Sequence, residues 1–161
     1  MWAWLKSVKN GFGKRFRWGQ KQPAEIAAED YFKRMGWKFA RFGWDRARIK
    51  TSNLPNKYRY IPDYVVDKGG SHAFYEVKGM SSRQGVLRVK AVVYETLVRH
   101  FACDMEVRLF VYALPSEEIY DVPLSALQSG RAALETAHDG AVFMVFAQNQ
   151  LSDFLYEDVI S

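Results

Sequence analysis

Asp63, Glu76 and Lys78 are the residues of this chain whose types and spacing promise chemistry. They lie in the run YIPDYVVDKGGSHAFYEVKG, residues 60–79, where two stretches rich in β-branched and aromatic residues, 58–67 and 72–78, flank Gly69-Gly70. A Gly-Gly pair suits the two-residue loop of a tight hairpin. With that pair as the loop, Lys68 faces Ser71. Stepping outward pairs Asp67 with His72, Val65 with Phe74 and Asp63 with Glu76. Side chains alternate along a strand, so Glu76 and Lys78 share one face while Tyr75 and Val77 point to the other. The predicted arrangement is two opposed carboxylates with an ammonium group beside them.

Opposed carboxylates on a sheet repel and need a compensating positive charge. Lys78 is one source and a divalent cation is another, because Mg²⁺ is typically held by one or two carboxylates together with water and phosphate oxygens. Such a metal is a Lewis acid, a template for a phosphodiester and a source of hydroxide. A neighbouring lysine can orient the attacking water or stabilise charge on the phosphate. The competing interpretation is a solvated outer face of a hairpin. Val65 and Phe74 on the same face argue for partial burial, and buried carboxylates need partners. The opposite face carries Tyr64, Val66, Tyr75 and Val77, so the sheet is expected to be covered on both sides.

Pro62-Asp63, a gap of twelve residues, and Glu76-Val77-Lys78 together resemble the PD-(D/E)XK nuclease signature. The resemblance implies that Asp63 and Glu76 bind metal, Mg²⁺ with Mn²⁺ as substitute, helped by the Val77 carbonyl, and that Lys78 assists catalysis. It also implies an α/β, restriction-endonuclease-like core ordered helix-strand-strand-strand-helix-strand around a mixed central sheet. That superfamily often draws a further acidic residue from the first helix, which makes Glu25 the first choice here and Glu29 the second. Gly36-Trp37-Lys38-Phe39 after this helix is similar to a step in phage junction-resolving endonucleases. A first-turn Glu is also favoured by the helix dipole without any catalytic role.

The elements that would position these groups follow from patterning. Residues 23–35 read as a helix, with Pro23 early and Gly36 just beyond. Ala24, Ala27, Ala28, Tyr31, Phe32 and Met35 form its apolar face. Residues 37–44 read as a first strand and 45–57 as a polar, basic connection. A second helix is expected from Ser81 or Ser82 to about Ala102, on the helical spacing of Val86, Val89, Val93, Leu97 and Phe101. Residues 107–114 form a nearly continuous apolar run, as expected of a buried central strand. Residues 122–137 read as helical turns or a full helix, and 141–147 as another strand.

Three segments differ in charge: residues 1–24 carry +6, 25–114 carry +6 and 115–161 carry −7, within a 161-residue chain of net charge +5. The expected organisation is a basic, aromatic N-terminal arm (1–22), a nuclease core (23–114) and an acidic C-terminal extension packing on it (115–161). Positive charge around the candidate site suits a polyanion such as DNA. In the arm, Lys14, Arg15 and Arg17 are interleaved with Trp2, Trp4, Phe12, Phe16 and Trp18, a pattern suited to phosphate pairing and base stacking and also to a membrane surface or a partner protein. Arg83, Gln84 and Arg88 at the start of the expected second helix are further DNA-contact candidates. His72 is read as a turn partner of Asp67, and His100 and His138 lack ligand spacing.

The lone Cys103 excludes an internal disulfide and a multi-cysteine zinc site. A cleavable signal and a transmembrane span are not expected, so cytoplasm is the default, or host cytoplasm or virion for a phage-borne protein. The functional expectation is a Mg²⁺-dependent endodeoxyribonuclease acting on DNA, including branched, phage or mobile-element DNA, alone or as a homodimer or larger assembly. The alternative is a non-catalytic DNA-binding or structural assembly protein built on a nuclease fold.

Overall fold

A computed structural model of the chain describes residues 22–43, 50–127 and 131–157. The arm residues Lys14, Arg15 and Arg17 lie outside the described residues.

Helix α1 (Pro23–Arg34) begins with Pro at its first position and ends before Gly36, whose φ of 68° is the left-handed conformation that glycine adopts without strain. Strand β1 (Lys38–Arg41) follows, then a single helical turn α2 (Asn56–Arg59) and the hairpin β2 (Tyr64–Asp67) and β3 (His72–Ser81). Next come β4 (Val86–Lys90), helix α3 (Ala91–His100), β5 (Glu106–Leu114), β6 (Glu118–Pro123) and the short helix α4 (Leu124–Leu127). The described chain closes with β7 (Ala133–Thr136), β8 (Val142–Ala147), a 3₁₀ stretch (Gln148–Phe154) and β9 (Leu155–Tyr156). The strands form one mixed sheet in the order β7-β8-β4-β3-β5-β6-β9, with β2 also paired to β3 and β1 to β2. The order α1-β1-β2-β3, then α3-β5, is the expected core order with one strand, β4, inserted.

Strand β3 is the centre of this sheet. It pairs in parallel with β5 from Ala73↔Glu106 to Ser81↔Leu114, while its other edge receives β2 antiparallel over residues 72–75 and meets β4 at Ser81↔Val86. Both faces are covered, as the apolar alternation on each side requires. On one face Ala28, Tyr31 and Phe32 of α1 pack on Tyr64, Val66, Tyr75, Val77 and Phe110. On the other, Val93, Leu97 and Phe101 pack on Phe74, Leu109, Val111 and Phe146. Aromatic rings crowd around Phe32, with Tyr75 at 4.9 Å, Phe39 at 5.4 Å and Tyr64 at 5.8 Å between centroids.

Strand β6 is fastened to this core by a polar knot on the α1 side. The Asp121 carboxylate accepts hydrogen bonds from the hydroxyls of Tyr31 and Tyr75, each at 3.0 Å, and from Arg108 Nε at 2.5 Å. Burial first, and the Asp121 charge next, push both tyrosine hydroxyls well above their usual range. Among the described residues no buried side-chain polar atom lacks a partner.

The chain departs from its sequence-based expectation after Lys78. Strand β3 runs on to Ser81, and residues 82–85 turn back into β4 rather than opening a helix. Gly85 has a φ of 62°, and Gly85 N and Gln84 N both donate to the Ser81 carbonyl at 3.1 Å. Leu87 and Val89 are fully buried while Arg88 and Lys90 are exposed, a two-residue period that the helical spacing of the valines obscured. The partner that decides between the two is distant: β4 pairs with β8 from Val86↔Ala147 to Lys90↔Phe143. Helix α3 therefore starts at Ala91. Residues 58–63 likewise precede the strand rather than extend it, and the described residues of 122–137 hold α4 as helix and then β7. Among the described residues no helix is long and apolar enough to cross a membrane.

Phe32 is fully buried, whereas Ile26 on the same helix is 41 % exposed. Phe32→Ala is expected to cost about 3–5 kcal/mol in urea denaturation, and Ile26→Ala no more than about 0.5 kcal/mol.

Candidate functional site

The site is built outward from the hairpin turn. Gly69 and Gly70 both have positive φ, 81° and 113°, and Lys68 N donates to Ser71 O at 2.8 Å. Asp67 Oδ1 accepts the Gly69 and Gly70 amides at 2.9 and 3.1 Å, and these bonds, Gly70's the larger, hold its carboxyl below the usual range. From this clamp the ladder runs Asp67↔His72, Val66↔Ala73, Val65↔Phe74 and Tyr64↔Tyr75, the expected register. It stops there, one step short of Asp63 and Glu76.

What replaces the next rung is a side chain. Asp63 Oδ2 accepts the backbone amide of Val77 at 2.8 Å, so the carboxylate reaches across to β3 beside Glu76. The Asp63 backbone is pinned from its other side, because its carbonyl accepts Phe42 N at 2.8 Å and Gly43 N at 3.0 Å. A Cβ at Gly43 would stand 3.2 Å from Asp63 Cα and 3.3 Å from Oδ1, so a side chain here would press Asp63 to shift by a few tenths of an ångström. Glu76 is buried at 6 % exposure, and Lys78 Nζ donates to its Oε1 at 2.5 Å.

Burial, and then the adjacent Glu76, push the Asp63 carboxyl up to about 7, against the opposing pull of Lys78, the Val77 amide and Arg41. Two carboxylates are thus gathered where one lysine only partly offsets their charge. Hard oxygen donors short of positive charge are a set that fits a divalent cation of the Mg²⁺ class. Among the described residues no group of three or more His, Cys, Asp or Glu side chains converges as a ready-made cage.

The helix acids stand apart from this pair. Glu25 caps α1 by accepting Gln22 N at 3.0 Å, and its Oε1 is held by Arg41 Nη2 at 2.9 Å. Glu29 accepts the Tyr64 hydroxyl at 2.9 Å on the α1 side of the sheet. Arg41 acts on both Glu25 and Asp63. The sequence offered only a weak signal for that role, a basic residue in alternation with Phe39 on a strand.

Of the proposed DNA contacts, Arg83 is exposed in the β3–β4 turn rather than on a helix. Arg88 lies on β4, where its Nη1 donates to Gln84 Oε1 at 2.9 Å and its Nε pairs with Glu135 at 3.2 Å. Gln84 and Arg88 are thus already engaged with each other and with β7.

No protein-family model matches the chain, and no curated protein does. Among solved structures, the fold is similar to that of Hjc, a Holliday junction resolvase from the archaeal hyperthermophile Archaeoglobus fulgidus, with a TM-score of 0.50 and 16 % identity over 80 % of this chain and 91 % of that one. The likeness establishes the fold as the mixed α/β, restriction-endonuclease-like core that the PD-(D/E)XK signature implies.

Proposed function

We propose that this protein is a divalent-metal-dependent endodeoxyribonuclease acting on branched DNA. The observation that carries the proposal is the meeting of Asp63 and Glu76 beside Lys78, on the fold of a structure whose name states action on Holliday junctions. Asp63 and Glu76 would hold the metal, Mg²⁺ or Mn²⁺, with the Val77 carbonyl as a third oxygen. The bound cation would supply Lewis acidity toward the phosphodiester and lower the pKa of water.

The chain's own groups divide the remaining work. The Val77 amide fixes one oxygen of Asp63, Oδ2, so Oδ1 would be the oxygen offered to the metal. Glu76 is oriented by Lys78 through its Oε1. Lys78, held beside the pair on Glu76, would orient the nucleophilic water or steady charge on the phosphate. Glu25 is the accessory acid of this scheme. Arg41, which holds Glu25 and acts on Asp63, would offer its fork of donors to the phosphate. Lys14, Arg15, Arg17, Arg83, Gln84 and Arg88 remain the proposed DNA contacts beyond the scissile bond. The place of action would be wherever branched DNA is processed in the cytoplasm.

Asp63→Ala and Lys78→Ala are each expected to lower Mg²⁺-dependent cleavage by at least about a hundredfold. The assay compares plasmid nicking in Mg²⁺, Mn²⁺ and EDTA and a panel of linear, nicked, branched and single-stranded DNA. Full activity of both variants overturns the proposal, and DNA retention without cutting by the wild-type protein points to a binding module.

The raised carboxyl of Asp63 gives an independent test. A folded-state pKa near 7, against 3.8 for the free group, means that the folded chain holds the proton longer. Stability contributed by Asp63 is then full below about pH 4 and is lost as pH rises through 7. In EDTA, Asp63→Asn should remove that loss and melt higher than wild type at pH 8, with little difference at pH 4. In wild type Mg²⁺ should raise Tm more at pH 8 than at pH 5.5, and this gain should vanish in Asp63→Asn. Differential scanning fluorimetry reads both effects without reference to cleavage.

A further inference from the structure

Phe42 is a large apolar side chain left 44 % exposed beside the carboxylate pair. Its amide donates to the Asp63 carbonyl at 2.8 Å, so its backbone is tied directly to that residue. Its ring lies against Phe74, with centroids 5.5 Å apart and planes 23° from parallel, and Phe74 is backed edge-on by Phe101 at 5.4 Å. Phe74 precedes Glu76 by two residues on β3 and therefore stands on the same face of the strand. Two residues along a strand span on the order of 7 Å. The exposed ring is thus about one nucleotide's reach from the carboxylates, and the aromatic pair behind it keeps it from yielding.

We infer that Phe42 is a specificity-determining residue that stacks on an unpaired or extruded base next to the phosphate held at Asp63 and Glu76. The inference rests on the nuclease reading for the position of that phosphate. Phe74 stacks on the ring, and the part that stays exposed can receive one further planar partner. A base inside a regular duplex already has both faces stacked and cannot take that place. A base at a branch point, a bulge or a strand end has a free face, and every base presents a π surface to an aromatic ring. The substrate class selected is DNA with an unstacked base beside the scissile bond. The competing role for Phe42 is as an apolar lid on Phe74, which a leucine would also fill.

The test uses the full-length chain and two DNAs: a matched duplex and the same duplex carrying one bulged base. Binding is measured by fluorescence anisotropy in Ca²⁺, and cleavage in Mg²⁺. Wild type is expected to prefer the bulged DNA by about tenfold in Kd. Phe42→Leu should abolish the preference while leaving the matched-duplex Kd within twofold of wild type, and Phe42→Trp should preserve it. Absence of the preference in wild type, its retention in Phe42→Leu, or an equal loss by Phe42→Leu on both DNAs overturns the inference. Wild-type protein that prefers the bulge through Phe42 yet cuts neither DNA overturns the nuclease reading and leaves the stacking role standing. Cutting with a preference that survives in Phe42→Leu does the reverse.

Discussion

Two carboxylates, one buried and one half-buried, repel one another when held side by side, and the rest of this molecule is arranged so that they cannot separate. Asp63 cannot withdraw, because its carbonyl is bound by the Phe42 and Gly43 amides and its Oδ2 by the Val77 amide. Glu76 cannot swing away, because it stands in the middle of β3, whose backbone is laddered to β5 from Ala73 to Ser81. The free energy that keeps the charges together is drawn from packing on both sides of that strand: Tyr75 and Val77 under α1, and Phe74 under α3. Surrounding the pair with apolar layers deepens the desolvation that raises Asp63, so the same packing that fixes the geometry also makes the site short of positive charge.

The distribution of partners shows how that shortage is managed. Lys78 sits on Glu76, Arg41 sits on Glu25, and Arg108 is committed to Asp121 and Glu106 on the other side of the sheet. Arg108 and the two tyrosine hydroxyls satisfy Asp121 completely, which is how a structural carboxylate is buried. Asp63 has a single backbone amide and a distant share of Lys78 and Arg41. The two aspartates thus differ in how far the fold supplies their partners: three side-chain donors at Asp121, one backbone amide at Asp63.

Much of this was legible in the sequence because the decisive contacts there are local. The Gly69-Gly70 turn sets the β2–β3 register, which carries outward as far as Tyr64↔Tyr75; the expected direct Asp63↔Glu76 pair does not form, because the ladder ends there and Asp63 instead accepts the Val77 amide. Helix α1 was legible from Pro23, Gly36 and its apolar stripe. The span 81–90 was not, because valines at 86, 89 and 93 satisfy helical spacing while the alternation of Leu87, Arg88, Val89 and Lys90 satisfies that of a strand. The tie is broken by β8, more than fifty residues away in sequence. Strand β7 and the Asp121 knot were hidden for the same reason. The role of Arg41 was equally illegible, since a basic residue on a strand carries no mark of the two acids that tertiary structure brings to it.

The end of the β2–β3 ladder is where turn-encoded geometry passes into chemistry. A continued antiparallel pairing would have set Asp63 directly opposite Glu76 and the Pro62 carbonyl opposite Val77 N. Ending the pairing at Tyr64↔Tyr75 instead obliges Val77 N to find another acceptor, since a buried amide without one is costly. Asp63 is the acceptor within reach, and taking that bond draws its carboxylate inward to Glu76. Pro62, buried just before it, contributes by lacking an amide with which to prolong the ladder. The proline and aspartate of the signature are therefore one device: the proline helps stop the strand, and the stopped strand commits the aspartate to the site.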